Sequence, residues 1–288
     1  MRVLILGGNG MVGHYLYRNL KKSFDLKVTF KKGWKRYNGF NLFDKNDCFF
    51  NVNALNPIKF EEIIALFKPD FVINCIGVTK QLINKKNINF TYAINSHFPN
   101  VLATMCAKYK SKLILLSTDC VFSGKKGNYS ELDYRDADDV YGQSKIQGEI
   151  LRENVLIIRK STIGLELSNF HGLIEWFLSQ KGNIKGFRGA IYSGLITAEL
   201  SRVIKQVITD YRQIEGIYNV SSAPVSKYYL LKSLSNRLNL NNISIEPDDT
   251  FACDRSLNME KLSLFTGYKA PSWDSMLDEL AEEILKKY

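Results

Sequence analysis

Short apolar runs alternate with amphipathic segments along the first half of the chain. The run "VLIL" at Val3 is followed by an amphipathic segment over residues 11–22, then by "LKVTF", "PIKFEEIIALFK" and "FVINC". Apolar runs of this length favour strands, and the segments between them have the spacing of helices. The alternation predicts βαβ units and a parallel sheet.

Later segments continue this pattern. A helix is predicted near residues 90–109, and the apolar strand "KLILL" after it ends in the small polar residues Ser117, Thr118 and Asp119. After a polar loop, a helix begins at Tyr141, and the strand "VLIIR" then completes about six parallel strands. We therefore expect an α/β fold with a Rossmann-type doubly wound parallel sheet.

Beyond Lys160 the pattern changes to irregular segments with scattered helices, including "TAELSRVIKQVITD" and "SKYYLLKSLSNRL". We expect residues 1–160 to form a nucleotide-binding domain and residues 161–288 to form mainly a smaller substrate-binding lobe. Segments within residues 196–221 are expected to return to the first domain.

The composition is that of an ordinary globular protein, with 288 residues of which 45% are hydrophobic and 24% are charged. The apolar runs are far shorter than the roughly 20 residues that a membrane-spanning helix needs. The N-terminus lacks the apolar stretch and cleavage site of a signal peptide. We expect no membrane span and a cytoplasmic location.

The charge, the cysteines and the histidines narrow the classes of ligand. Five widely spaced cysteines without a C-x-x-C pair predict free thiols, and three scattered histidines predict no metal site. The net charge of +10 comes from lysines that are scattered rather than arranged in a stripe. We therefore expect anionic small molecules, and no nucleic acid, as partners.

The segment "GGNGMVG" follows the first strand directly and opens the first helix. Its glycines satisfy G-x-G-x-x-G, which allows a tight turn, a close approach of a pyrophosphate, and phosphate binding at the helix N-terminus. A glycine-rich turn without a ligand is the alternative. The residues assigned here to a dinucleotide cofactor are Gly7, Asn9, Gly10, Met11, Val12 and Gly13.

Basic residues follow the second strand. In NAD-specific folds this position usually carries an acidic residue that binds the hydroxyl groups of the adenine ribose. The strand runs into Lys31 and Lys32, and Lys35 and Arg36 come shortly after. Such residues suit the 2′-phosphate of NADP(H), so we expect NADPH as the cofactor, with NADH as the alternative. A solvated lysine loop is the other explanation.

Three tyrosine and lysine pairs have a spacing of four, and these are Tyr17 with Lys21, Tyr141 with Lys145, and Tyr228 with Lys232. At this spacing both side chains emerge on one helical face, and a nearby ammonium lowers the tyrosine pKa from about 10. Only Tyr141 and Lys145 follow the fifth strand, at the sheet edge where cofactors bind. We expect the other two pairs to lie on helix surfaces.

Five segments carry a family resemblance: "GGNGMVG", "KPDFVINCIG", "INSHFPNVLA", "LLSTDCVFSG" and "YGQSKIQGE". In this order they resemble the extended short-chain dehydrogenase/reductase family, and within it the dTDP-4-dehydrorhamnose reductases and related reductases of nucleotide-linked 4-keto sugars. The resemblance is specific through about Arg159 and looser afterwards. It implies a catalytic set of Thr118, Tyr141 and Lys145.

The resemblance also implies residues around the cofactor. Asn95 would support Lys145 through a water molecule, and Asn51 and Val52 would lie near the adenine. The other residues implied at the cofactor are Cys75, Ile76, Gly77, Ser117, Tyr141 and Lys145. Simpler roles stay open, because Asn95 could cap or break a helix and Cys75 could be ordinary buried packing.

In the C-terminal lobe, "CDRSLN" resembles the segment that contacts the sugar nucleotide, with Arg255 facing the diphosphate. A salt-bridged surface arginine is the alternative. The implied substrate set is Thr118, Asp119, Cys120, Tyr141 and Arg255. The chain departs from those reductases at Cys120, where they commonly have tyrosine, and at Thr162, where they have tryptophan, so we expect a different sugar pocket.

The leading hypothesis is NADPH-dependent reduction of the 4-keto group of a dTDP- or UDP-linked 6-deoxyhexulose for a surface polysaccharide. The same resemblance leaves two alternatives open. One is a nucleotide-sugar epimerase or dehydratase that retains NAD, and the other is a non-catalytic NADP-binding regulatory subunit. A homodimer is a candidate assembly.

Overall fold

The structure is a computed structural model that describes residues 1–168 and 170–287. Its strands are β1 (Arg2–Leu6), β2 (Asp25–Thr29), β3 (Cys48–Phe49), β4 (Phe71–Asn74), β5 (Lys112–Leu116), β6 (Val155–Lys160), β7 (Thr162–Ile163), β8 (Gly182–Tyr192), β9 (Leu195–Ile196), β10 (Gly216–Val220), β11 (Val225–Ser226) and β12 (Ile243–Asp254). Its α-helices are α1 (Met11–Leu20), α2 (Pro57–Phe67), α3 (Ile88–Tyr92), α4 (Phe98–Lys108), α5 (Val140–Gln147), α6 (Leu173–Leu178), α7 (Thr197–Asp210), α8 (Lys227–Arg237), α9 (Glu260–Thr266) and α10 (Trp273–Lys287).

Seven strands form one parallel sheet in the order β10-β6-β5-β4-β1-β2-β3. The chain moves outward in one direction from β1 to β3 and in the other from β4 to β6, so the strand order reverses between β1 and β4. Ligands of open α/β sheets bind beyond the carboxyl ends of the strands at such a reversal. The predicted Rossmann-type fold is confirmed.

Helices cover both faces of this sheet, because alternate side chains of each strand point to opposite sides. Val3 and Ile5 of β1 belong to the core beneath α1 and α7. Leu4 and Leu6 belong to the core beneath α2 and α4. All four side chains are fully buried, which explains why the strand is apolar at every position.

Local signals set the ends of α2. Pro57 occupies its first turn, where the missing N–H costs nothing. The helix ends at Lys68, whose left-handed backbone (φ 49°) ends the helical hydrogen bonding, and Pro69 follows. Both ends of α2 thus follow from residues at or next to them.

The second half of the chain contains strands that the sequence pattern did not predict. β10 pairs with β6 as the seventh strand of the large sheet. A second sheet has the order β11-β8-β12, and the long strands β8 and β12 pair in parallel with a register shift between Asp248 and Ala252. The expectation of irregular segments with scattered helices was wrong here. The expected domain limits stay a prediction.

Helices in the described part of the chain are too short and too polar to cross a bilayer. All five cysteines are free thiols. Residues 1–168 and 170–287 contain no group of three or more His, Cys, Asp and Glu side chains that could hold a metal ion.

Candidate functional site

The glycine loop between β1 and α1 packs too tightly for side chains. Gly7 has a left-handed backbone (φ 86°), and a methyl group at Gly13 would overlap the Gly7 carbonyl oxygen. A methyl group at Gly8 would overlap Val28. The N-cap of α1 is Gly10 and its first turn has no acidic residue, so its N–H groups and positive dipole end suit a phosphate.

The other residues assigned to this loop differ in how exposed their side chains are. Asn9 and Met11 are partly exposed at the mouth of the loop. Val12 is buried in the core beneath α1, so only its backbone can meet a ligand.

The predicted adenine end lies beyond β2 and β3. Lys31 and Lys32 are both exposed just after β2, and within residues 1–168 and 170–287 neither forms an ion pair. Asn51 is exposed with a left-handed backbone (φ 59°), and its N–H faces the Lys32 carbonyl at 3.5 Å. Val52 is buried in the core. The structure therefore brings the two lysines and Asn51 together and leaves two cations without local counter-charges.

Tyr141 lies at the start of α5, facing the end of β5. The Asp139 carboxylate caps the helix by accepting a hydrogen bond from the Gly142 N–H at 2.7 Å. Burial raises the pKa of the Tyr141 phenol, and the acidic groups of Cys120 and Asp119 raise it further, while the Thr118 side chain offsets part of the increase. In this state the phenol is neutral and holds a proton that it can donate.

Thr118 shapes the turn after β5. Its hydroxyl donates a hydrogen bond to Asp119 Oδ1 at 3.0 Å and accepts one from the Cys120 N–H at 3.1 Å. Both Thr118 and Asp119 are buried. The structure thus places Thr118 and the buried carboxylate of Asp119 beside Tyr141, and the catalytic role of Thr118 stays a prediction.

Lys145 extends toward β5 rather than toward Tyr141. Its ammonium donates a hydrogen bond to the Leu116 carbonyl oxygen at 2.8 Å. Burial lowers the pKa of Lys145 to about 8, and the charge of Lys160 lowers it as well, while Glu149 acts in the opposite direction. The ammonium therefore loses its proton much more readily than an exposed lysine.

Asn95 lies in a π-helical turn, Ala93–His97, that joins α3 and α4. Its side-chain amide makes three hydrogen bonds within the protein. The oxygen accepts one from the Val78 N–H at 2.8 Å, and the nitrogen donates to Val78 O and Ser144 Oγ, each at 3.0 Å. It anchors α5 and the loop after β4. A water-mediated link to Lys145 would therefore involve the backbone of Asn95.

A small cavity lies at this point of the structure. Its lining includes Asn95, Ser117, Lys145 and Glu149, and its volume is about 10 Å³. That space is enough for about one water molecule with several polar neighbours. The predicted water link between Asn95 and Lys145 is sterically feasible and stays a prediction.

Behind the site lies a buried ionic network that the sequence did not reveal. The Glu149 carboxylate accepts hydrogen bonds from Arg159 Nε and Nη2 at 2.9 and 2.8 Å and from Ser117 Oγ at 2.6 Å. Arg135 adds a contact at 3.1 Å. The Ser117 hydroxyl, which was assigned to the cofactor, is thus held by Glu149. The only sequence signal was a glutamate that ends the segment "YGQSKIQGE".

Arg255 comes from the C-terminal part of the chain to the turn after β5. Its Nε donates to the Phe122 carbonyl oxygen at 2.8 Å, and its Nη1 lies 3.9 Å from Cys120 Sγ. Burial raises the pKa of the Cys120 thiol to about 12, while Arg255 acts to lower it. The structure brings Arg255 to the predicted substrate residues. In the described part of the chain it forms no salt bridge, contrary to the alternative.

Cys75, Ile76 and Gly77 follow β4 and meet the glycine loop. A methyl group at Gly7 would lie 3.0 Å from Ile76 Cγ1, and Gly77 lies near the Asn95 side chain. Burial raises the pKa of the Cys75 thiol to about 12, so this group is a neutral packing residue. These three residues connect the ends of β1 and β4.

Tyr17 is not on a helix surface, so the prediction was wrong for this residue, whereas Lys21 is exposed as expected. Tyr17 is fully buried, accepts a hydrogen bond from Lys21 Nζ at 3.0 Å and donates one to Asp47 Oδ2 at 2.9 Å. It is used in packing α1 against the segment before β3. In the third pair, Tyr228 is half-buried and Lys232 is exposed.

Comparison with known proteins agrees with this architecture. A family model described as the RmlD substrate binding domain matches residues 1–285. A dTDP-4-dehydrorhamnose reductase of Aggregatibacter actinomycetemcomitans is 28% identical over 238 residues, which cover 79% of this chain and 76% of that protein. The spore coat polysaccharide biosynthesis protein SpsK of Bacillus subtilis (strain 168) is 26% identical over 234 residues, which cover 79% of this chain and 76% of that protein.

Solved structures share the fold. A dTDP-4-dehydrorhamnose reductase of Bacillus anthracis in complex with NADP superposes with a TM-score of 0.80 over 98% of this chain and 99% of that chain, at 24% identity. The Aggregatibacter relative is named a reductase, which agrees with the predicted oxidoreductase class. The resemblance inferred from the sequence is confirmed, and the chain belongs to the RmlD substrate binding domain family.

Proposed function

We propose that the protein is an NADPH-dependent reductase of the 4-keto group of a dTDP- or UDP-linked 6-deoxyhexulose, acting in the cytoplasm in the synthesis of a surface polysaccharide. The observation that carries the proposal is the position of Thr118, Tyr141 and Lys145 around the end of β5. Family membership and the relative named a reductase support the same reaction class, and the name of SpsK supports a role in polysaccharide synthesis.

The residues present fit a dinucleotide. The tightly packed turn from Gly7 to Gly13 lets a ligand approach the backbone, and the N-terminus of α1 suits its phosphates. Lys31 and Lys32, which form no ion pair with the described residues, are cations available for a 2′-phosphate. When bound, NADPH supplies the hydride that reduces the keto carbon.

Tyr141 is the proton donor in this proposal. Burial keeps the phenol neutral, so it gives its proton to the keto oxygen as the hydride arrives at the carbon, and an alcohol results. Thr118, beside the phenol, holds the same oxygen and fixes the direction of proton transfer.

Lys145 has two tasks in this proposal. After leaving the Leu116 carbonyl, which it contacts in this structure, its ammonium binds the cofactor ribose and stabilises the phenolate left on Tyr141. The cavity next to Asn95 and Lys145 offers a water-mediated route by which a proton returns to the phenol.

A Tyr141→Phe variant tests the assignment. We expect it to bind NADPH as the wild-type protein does and to lose at least about a hundredfold in turnover of keto-sugar nucleotides, the range of general acid catalysis. Tyr228→Phe, in a pair remote from the site, is the matched control and should keep full turnover. Undiminished turnover by Tyr141→Phe refutes the proposed role.

The epimerase or dehydratase alternative differs in its cofactor balance. Such enzymes regenerate a bound NAD, whereas a reductase oxidises NADPH in step with the substrate. The regulatory-subunit alternative predicts no turnover with any keto sugar. The intact set of Thr118, Tyr141 and Lys145 favours the reductase over a non-catalytic protein.

A further inference from the structure

Lys160 shares a sheet face with Thr118. The ladder pairs Leu116 of β5 with Ile158 of β6, and Thr118 is still extended (φ −145°, ψ 154°), so two residues further on Thr118 and Lys160 lie side by side. Side chains alternate along a strand. Ser117 and Arg159 accordingly point to the opposite face, where both bind Glu149.

The ammonium of Lys160 is held among site residues without a direct partner. Within residues 1–168 and 170–287 it forms no hydrogen bond and no ion pair. The charged and titratable groups that act on it are Asp119, Cys75 and Cys120, and it acts in turn on Lys145. Burial lowers its pKa, and Asp119 opposes this effect. Burying an ammonium group costs free energy, because the group loses its hydration. No hydrogen bond or ion pair to a described residue offsets this cost, so structural stability alone does not explain a lysine here.

The neighbours of Lys160 belong to two proposed sets. Cys75 and Lys145 are assigned to the cofactor, whereas Asp119 and Cys120 are assigned to the substrate. Lys160 therefore borders the place where the reactive ends of cofactor and substrate meet.

We infer that Lys160 determines the preference of the site for the reduced over the oxidised cofactor. The inference rests on the proposed function. The oxidised nicotinamide ring carries a positive charge that the reduced ring lacks, so a fixed ammonium nearby repels only the oxidised form. Such a residue favours uptake of NADPH and release of NADP⁺, and it favours the negative charge that develops on the substrate oxygen.

The test is the ratio of two dissociation constants, Kd for NADP⁺ divided by Kd for NADPH, measured on the full chain. NADPH binding is followed by its fluorescence, and NADP⁺ binding by displacement of NADPH. We expect Lys160→Met and Lys160→Thr to lower the ratio about tenfold, mainly through tighter NADP⁺ binding, which corresponds to about 1.4 kcal/mol. Lys160→Arg keeps the charge and should keep the ratio.

Three outcomes would overturn the inference. An unchanged ratio of dissociation constants in folded Lys160→Met and Lys160→Thr shows that the Lys160 charge does not repel the oxidised nicotinamide ring. Equal weakening of both forms shows a structural role. Failure of the wild-type protein to bind either form removes the proposed function as well, whereas the first two results leave it standing. Thermal unfolding of each variant confirms that it is folded.

Discussion

Replacing Arg159 by leucine removes the main counter-charge of a buried carboxylate directly behind the site. The side chains of Glu149 and Arg159 are each only 1% exposed, and two hydrogen bonds join them. Arg159 also donates to the Glu131 carbonyl oxygen at 3.2 Å and lies over the Phe122 ring. The pair links the end of α5 to the end of β6, and Ser117 links it to the turn that carries Thr118.

Breaking a buried pair by removing one partner costs about 3–5 kcal/mol, because the remaining charge is left in a low-dielectric interior. Arg135 and Ser117 still contact Glu149 in the variant, so we expect a loss of about 3 kcal/mol for Arg159→Leu. Arg135→Leu is the matched control. Its side chain is 36% exposed, and we expect its loss to stay below about 1 kcal/mol.

The assay is equilibrium unfolding in urea, with the free energy of unfolding obtained by linear extrapolation. The double variant Glu149→Leu with Arg159→Leu should be more stable than Arg159→Leu alone, because no carboxylate is left unpaired. If Arg159→Leu costs no more than Arg135→Leu, or if the double variant is the least stable, the reasoning about a buried uncompensated charge is refuted.

Two further predictions concern the cofactor loop and the lysine. Gly13→Ala should weaken NADPH binding at least about tenfold, because its methyl group meets the Gly7 carbonyl oxygen and shifts the loop. Titration with NADPH measures the change in Kd. Gly39→Ala is the control and should bind NADPH as the wild-type protein does, because its methyl group meets nothing within 4 Å. Burial lowers the pKa of Lys145 to about 8, so kcat/KM should be constant below that pH and fall above it. The residual activity of Lys145→Arg should show no such fall, because a guanidinium keeps its proton. A pH profile that is flat through pH 8 contradicts the role of this lysine.

The first half of the fold could be predicted because its signals are local. The strand β1, the glycine loop and α1 follow directly from an apolar run, three spaced glycines and an amphipathic segment. The position of Tyr141 after β5 followed from the same alternation. Each of these features depends on residues that are close in the sequence.

The rest depends on contacts that no local pattern reports. β8 and β12 carry glycines, a proline and many charged residues, and are stabilised by pairing with each other across about sixty residues of chain. The ionic network around Glu149 depends on the register of β5 and β6. Tyr17 was expected on a surface because its spacing to Lys21 says nothing about the segment before β3 that buries it.

The central claim is tested most directly by incubating the pure protein with NADPH and a panel of UDP- and dTDP-linked 4-keto-6-deoxysugars while cofactor oxidation and sugar products are both measured. The account predicts that at least one sugar is reduced at its keto carbon with stoichiometric oxidation of NADPH, and that Tyr141→Phe abolishes both. Conversion of a sugar without net oxidation of the cofactor, or binding of NADPH with no turnover of any of these sugars, would contradict it.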